Sequence, residues 1–416
     1  MDHFPLKPNP KRIQQDIETM ATFVDRTKPG WTRRPFTTWY EQGRNWLRQQ
    51  MLACGMEVEI DAAANLIGRI AGSESNLPPI MIGSHTDTVT GGGRFDGIVG
   101  VLAGLEIVRR IKETGTLLRH PLEIVDFTAE EPSEFGISTI GSRGMVNNLT
   151  EEMLARQDMT GLSLRDAIKM AGGDPERLAA RARKKGEVAL YLELHIEQGP
   201  VLEQTHNQLG VVTGIVGIHR YRVVVEGKAN HAGTTPMDMR FDALTGASQL
   251  ILELEAICRE PHVEPVVGTV GKLHVEPNAA NVIPGSVMFE LEVRSLDTGL
   301  LEQIMRRFQK RAAEIGKSRT LNISIDSLSK SEAIRVDETI RQVIAEACQN
   351  TAKTAYLPSG AGHDANQLAK IAPIGMIFVP SKDGRSHCSE EWTDYADVAR
   401  GVEALARAVM SFDQQL

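Results

Sequence analysis

Apolar positions along the chain follow two rhythms. Residues 11–24 and 37–54 place them at helical spacing. Short apolar runs follow, each leading into a helical stretch. Residues 79–84 (PIMIGS) read as a buried strand, and 98–111 as an apolar helix. Residues 122–128 (LEIVDFT) and 189–195 (ALYLELH) read as two more strands. Strands alternating with helices predict an α/β layer structure. The charged stretch 150–187 reads as surface helices broken at Gly172-Gly173-Asp174-Pro175.

The rhythm changes near Gly214. Strand-like 221–225, helical 241–258, strand-like 266–274 and 287–293, helical 300–315 and alternating 321–325 follow in order. That order is β-α-β-β-α-β, the split pattern of a ferredoxin-like unit. It fills about 115 residues, enough for a domain. Beyond it come a helix at 340–349, a strand at 374–379 and a helix at 396–410. The expected organisation is one α/β catalytic domain in two parts, 1–213 and 329–416, interrupted by an inserted domain at 214–328.

Composition narrows the class. With 416 residues, 41% hydrophobic and 24% charged, the chain can bury a large core, which excludes whole-chain disorder, collagen and coiled coil. A net charge of -8, no basic tract and only 5% aromatics argue against a nucleic-acid partner. No apolar stretch approaches the roughly 20 residues of a membrane helix. The start, MDHFPLKPNP, does not read as a signal peptide. Cys54, Cys258, Cys348 and Cys388 are scattered, so neither a disulfide framework nor a thiolate zinc site is expected. The expected setting is the cytoplasm.

Most of the strongest polar clusters fall at the ends of predicted strands, where open α/β sheets place their sites. In Gly83-Ser84-His85-Thr86-Asp87, His85 and Asp87 point to one side of an extended chain. Asp87 is placed to support a metal-bound His85 imidazole from its other nitrogen, unless the two are a solvated pair. The run 91–97 (GGGRFDG) fits neither phosphate-loop pattern. Its Asp96 is either a helix N-cap or a carboxylate bridging metals. Glu130 and Glu131 end a strand and would face opposite ways, one ligating a cation while the other polarises a water; the alternative is a solvated turn before Pro132. His195 is a core imidazole or a ligand. His387, in 383–391 (DGRSHCSEE), is a solvated loop histidine or a ligand. Taken together, three imidazoles, two carboxylates and a spare glutamate match two oxygen/nitrogen-liganded divalent cations sharing an aspartate.

The motifs HTDTVTGGGRFDG, EEPSEFG, LELHIEQGPVLE, ANHAGTTPM, NAANVIPG and SGAGHDA resemble the amidase/hydantoinase/carbamoylase branch of the aminoacylase–carboxypeptidase metallohydrolases. The branch includes N-carbamoyl-L-amino acid hydrolases, β-ureidopropionases and allantoate amidohydrolases. The resemblance implies a zinc-exopeptidase-like mixed-sheet catalytic domain whose insertion serves as a dimerisation or lid domain. His85, Asp96 and His195 would hold one ion, and Asp96, Glu131 and His387 the other. The two ions per subunit would be zinc or manganese, with cobalt and nickel also suited to such donors. Glu130 matches the general base and His231 the residue that stabilises the oxyanion. Gln198, Arg220, Asn281, Arg294 and Gly362 match positions near the substrate. Read from the residues alone, Arg294 could equally pair with Glu292 in its own strand, and Arg220 could be a solvated strand end.

His195 stands where the wider group's peptidases carry an acid, which points to the carbamoylase branch. Ile218-His219-Arg220 departs from the Gln-Arg-Arg triplet of several allantoate-type members, leaving the substrate open within the branch. The resemblance thus implies a homodimeric hydrolase of a linear C–N bond in a carboxylate-bearing ureido compound: an N-carbamoyl-L-amino acid, allantoate or 3-ureidopropionate. An aminoacylase or dipeptidase acting on N-acyl amino acids is the alternative. A silent scaffold would show broken ligand positions, and here all are filled.

Overall fold

The computed structural model describes residues 4–416. Residues 1–3, part of the N-terminal stretch read above, lie outside it. The chain divides into two compact units: residues 1–213 with 336–416, and Gly214–Arg335.

The first unit begins with the helix Pro10–Met20, capped by the Asn9 side chain, and the helix Thr38–Ala53, capped by Thr37. Strands β1 (Glu57–Ile60), β2 (Leu66–Ile70), β3 (Ile80–His85), β4 (Leu122–Phe127), β5 (Leu190–Ile196) and β6 (Leu209–Ile215) follow. The helix Ile98–Thr114 lies between β3 and β4 in sequence. The charged stretch forms only short helices, among them Glu151–Leu154 and Leu164–Met170.

The second unit holds β7 (Gly217–Glu226), β8 (Asn230–His231), β9 (Val266–Glu276), β10 (Val282–Ile283), β11 (Ser286–Ser295), β12 (Asn322–Ser331) and β13 (Ile334–Arg335). Its sheet runs β12-β7-β11-β9, antiparallel throughout. Burial alternates residue by residue along β7 and β11. The inward set, including Val223, Val225, Phe289 and Leu291, packs with Leu250, Leu254, Ile304 and Phe308 from the helices Ala243–Arg259 and Thr298–Arg319. The unit ends later than the expected residue 328. Ser329, Lys330 and Ser331 still pair with Arg220, His219 and Ile218. The reason is that β12 is exposed and polar at that end, so its pairing leaves no apolar alternation to read.

The first unit resumes with the helix Glu338–Gln349, β14 (Thr354–Ser359), β15 (Ile374–Val379) and the helix Tyr395–Gln415. Strands β4-β3-β5-β15 are parallel and adjacent, with β2 antiparallel beside β4 and β6 antiparallel beside β15. All four parallel strands are buried along their whole length, which explains why they read as mainly apolar runs, with the acids Glu123, Asp126 and Glu193 buried inside them. Their carboxyl ends lie side by side. His85 ends β3, Thr128–Glu131 follow β4, His195 precedes the last residue of β5, and the segment 380–391 follows β15. Among the described residues no helix is long and apolar enough to cross a membrane.

Candidate metal centre

Three of the four parallel strand ends bring imidazoles to one place. His85 Nδ1 lies 3.0 Å from the carbonyl oxygen of Asp87, and His195 Nδ1 lies 2.9 Å from that of Ile196. A carbonyl only accepts, so each Nδ1 carries a hydrogen and Nε2 is the ring atom turned inward. Both Nε2 atoms face carboxylates. His195 Nε2 is 3.1 Å from Asp96 Oδ1, yet buried without a hydrogen bond among the described residues. His85 Nε2 is 3.8 Å from Asp96 Oδ1 and 3.7 Å from Glu130 Oε2. A positive charge satisfies these pairs, as a proton on the ring or as a cation held between nitrogen and carboxylate.

His387 enters from the loop after β15. Its Nε2 is 3.3 Å from Asp96 Oδ2 and 3.1 Å from Glu131 Oε1. His85, Asp96 and His195 therefore form one trio of donors within 4.8 Å of one another, and Asp96, Glu131 and His387 form a second. Asp96 belongs to both. Donors about 2.0–2.2 Å from a tetrahedral ion stand roughly 3.3 Å apart, so the observed separations suit divalent cations. The nitrogen and oxygen donor set, without a thiolate, suits the same ions.

The electrostatics agree. Burial alone would lower the His85 imidazole, but the carboxylates of Glu130, Asp87, Asp96 and Glu131 hold it well above its ordinary value. Hydrogen bonds to Asp96 and Glu131 push His387 up to about 11. Burial would raise Asp96, yet the imidazoles of His195, His387 and His85 hold it well below the usual carboxylate range. Glu130 goes the other way: burial pushes it well above that range, against His85 and with help from Asp364, Glu131 and Asp87.

Local backbone shapes the cluster. Gly97, before the helix Ile98–Thr114, has φ +69°, and a Cβ there would fall 2.4 Å from the His85 ring. Asp96 does not cap this helix, because its N-cap residue is Gly97 and has no side-chain bond. Ala129, Gln198 and His387 also hold positive φ without being glycine. Such strain gathers at sites that the surrounding structure over-determines. Glu130 and Glu131 are buried, not solvated, and they diverge toward His85 and His387 respectively.

Three expectations change in detail. The Asp87 carboxylate is not the partner of His85 Nδ1: it stands 3.6 Å away and instead accepts the backbone N–H groups of Glu130 and Glu131. With its oxygens engaged there, the Asp87 main-chain carbonyl holds the imidazole. Gln198 donates through Nε2 to Asp96 Oδ2 at 2.8 Å, so it touches the shared ligand. Arg294 and Arg220 both reach Glu292, through Nε at 2.8 and 3.0 Å, so the in-strand ion pair is real and has two cations on one acid.

His231 lies in the second unit on β8, paired with Val282 of β10. Its Nδ1 accepts from the N–H groups of Gly233 and Thr234 at 3.0 and 3.2 Å. The neutral ring therefore carries its hydrogen on Nε2. The Asn281 carbonyl accepts from Ala232 N–H at 2.9 Å, tying Asn281 to the same strand pair. Gly362 lies in the turn before His363, where a Cβ would meet Asn366 Oδ1 at an ordinary contact distance of 3.8 Å.

Sequence reasoning assigned Asp364, Ser386 and Glu391 no role of their own, and it placed His363 only in the turn of Gly362. His363 is buried against His195, ring centroids 4.6 Å apart, and bonds Ser359 Oγ. Asp364, also buried, accepts from Ser142. Ser386 and Glu391 contact the Asp96 segment. All four lie inside the SGAGHDA and 383–391 motifs, and that membership was their signal in the sequence.

Comparison with known proteins follows the same lines. Peptidase family M20/M25/M40 matches residues 81–411. An N-carbamoyl-L-amino acid amidohydrolase of Geobacillus stearothermophilus is 41% identical, with 97% of this chain and 98% of that protein covered. The allantoate amidohydrolase of Bacillus subtilis (strain 168) is 35% identical over 94% and 95%. The crystal structure of an amidase of the hydantoinase/carbamoylase family from Burkholderia multivorans superposes with a TM-score of 0.92 at 33% identity, covering 98% of each chain. With this likeness spanning both units and the donor cluster in place, the chain belongs to peptidase family M20/M25/M40, within its hydantoinase/carbamoylase amidases.

Proposed function

We propose that this chain is a metal-dependent amidohydrolase that cleaves a linear C–N bond of a carboxylate-bearing ureido substrate: an N-carbamoyl-L-amino acid, allantoate or 3-ureidopropionate. The observation that carries the reading is the pair of donor trios sharing Asp96, with Glu130 beside them as an acid outside both. His85, Asp96 and His195 would hold one divalent cation, and Asp96, Glu131 and His387 a second, zinc or manganese. Bound there, the cations would acidify a water and polarise the scissile carbonyl.

The chain's own groups supply the rest. Glu130 takes the proton of the attacking water and delivers it to the leaving nitrogen. His231, with its hydrogen fixed on Nε2, is a donor suited to the oxyanion of the tetrahedral intermediate. Arg220 and Arg294, both bonded to Glu292, are the cations assigned to a substrate carboxylate. Asn281, Gln198 and the Gly362 turn complete the substrate contacts. For a carbamoyl amino acid, one water yields the amino acid, ammonia and carbon dioxide. We assign the second unit, a ferredoxin-like arrangement, as the lid and the dimerisation domain of a homodimer. The chemical names of the relatives support the ureido class.

The alternative, an aminoacylase or dipeptidase, would use the same centre on an acyl amide. Manganese- or zinc-loaded protein assayed side by side on the three ureido compounds and on N-acetyl amino acids and dipeptides separates the two. Ammonia release from a ureido compound is expected. Faster cleavage of the acyl substrates would sink the ureido reading.

A further inference from the structure

Glu391 is 2% exposed and is not a member of either donor trio. Its Oε1 accepts the backbone N–H groups of Phe95 at 2.9 Å and Asp96 at 3.1 Å. Its Oε2 lies 3.0 Å from Ser386 Oγ, and that hydroxyl lies 2.7 Å from Asp96 Oδ2. The loop 91–97 closes tightly around this carboxylate: a Cβ on Gly93 would fall 2.1 Å from Glu391 Oε1. One buried acid thus grips the main chain of the shared ligand, and through Ser386 it also reaches that ligand's side chain. Both Ser386 and Glu391 flank His387, which meets Asp96 only in the second trio.

We propose that Glu391, acting with Ser386, is a positioning residue that sets the separation between Asp96 and His387 and so builds the second cation site. The inference rests on the two-cation reading given above. Each trio has its own anchor. The first is held by β3 and β5, through His85 and His195 bonded to their own strand ends. The second has no ligand on a strand, and its His387 keeps positive φ and is about half exposed. Glu391 and Ser386 make the polar link from that loop to the Asp96 segment, beside the packing of Trp392 on Phe95. Removing that link should loosen the second site far more than the first, where Asp96 is one donor beside two strand-anchored imidazoles.

Metal-stripped protein titrated with manganese, with bound ions counted after equilibrium dialysis, tests this. Wild type should bind two ions per chain. Glu391→Ala should keep one tight ion and bind the second at least tenfold more weakly. Glu391→Gln should keep both, because its amide oxygen still accepts the two N–H groups and its NH₂ donates to Ser386 Oγ. A general loss of folding would weaken both ions together, so the selectivity of the loss distinguishes positioning from bulk stability. Should Glu391→Ala not fold, Ser386→Ala carries the same expectation for the second ion. Two ions bound with wild-type affinity by Glu391→Ala, or by Ser386→Ala in its place, would overturn the inference. A wild-type chain that binds fewer than two ions would overturn the two-cation reading beneath it.

Discussion

Glu130 can serve as a base only if its carboxylate is basic enough to take a proton from an activated water near neutral pH. Burial provides that, holding it well above the ordinary carboxylate range. Glu130→Gln preserves shape and removes the basicity. Turnover should fall by about 10²–10⁴-fold, the usual weight of general acid–base catalysis, while the metal content is unchanged. Steady-state ammonia release together with elemental analysis checks both halves, and retained turnover would refute the role. His387 gives a different kind of test. Without a cation, Asp96 and Glu131 hold its imidazole protonated up to about 11. A cation must displace that proton, so the apparent affinity of the second site should rise with pH, and filling that site should release about one proton per ion at pH 8. Calorimetry in buffers of different ionisation enthalpy measures this. The same ion pairing stabilises the metal-free fold fully below the ordinary value of 6.5 and loses that contribution as pH rises through about 11.

At the scale of elements, the centre depends on four parallel strands ending side by side and on the turns beyond them. Gly97 shows how narrow the fit is. Gly97→Ala places a methyl 2.4 Å from the His85 ring at a φ that L-residues avoid. It should destabilise the chain by about 1–3 kcal/mol and weaken the first cation site, read by denaturant unfolding and manganese titration. The strands that carry ligands were legible in the sequence because burial on both faces makes them mainly apolar, with polar residues gathered at or just beyond their carboxyl ends. The helix Thr38–Ala53 was legible from its spacing. The partners that finish the site were not. Glu390 and Glu391 are identical neighbours in the sequence; one is exposed and the other buried. What separates them is a pair of backbone N–H groups nearly 300 positions earlier, at Phe95 and Asp96. The Asp87 carboxylate was misread for the same reason, because its partners are also main-chain amides. Every residue carries such groups, so they leave no mark in a sequence.

For the whole molecule, the cation donors all lie in the first unit, and the residues assigned to the oxyanion and the substrate carboxylate lie chiefly in the second. Under the proposed assignment, the first unit would fix what kind of bond is cut, and residues of the second would bear on which compound presents it. Likeness across nearly the full length to proteins acting on different ureido compounds agrees with a common centre and a variable substrate surface. The Ile218-His219-Arg220 segment lies on β7 of that second unit, beside the Glu292 cluster of β11. The central claim is that hydrolysis of a ureido bond depends on cations held by these donors. The direct measurement is ammonia release from an N-carbamoyl-L-amino acid, allantoate and 3-ureidopropionate by chelator-stripped protein, before and after reloading with manganese or zinc. The account predicts negligible release from stripped protein, with recovery rising as ions fill the site to two per chain. Undiminished release from a chain shown to hold no metal would contradict it.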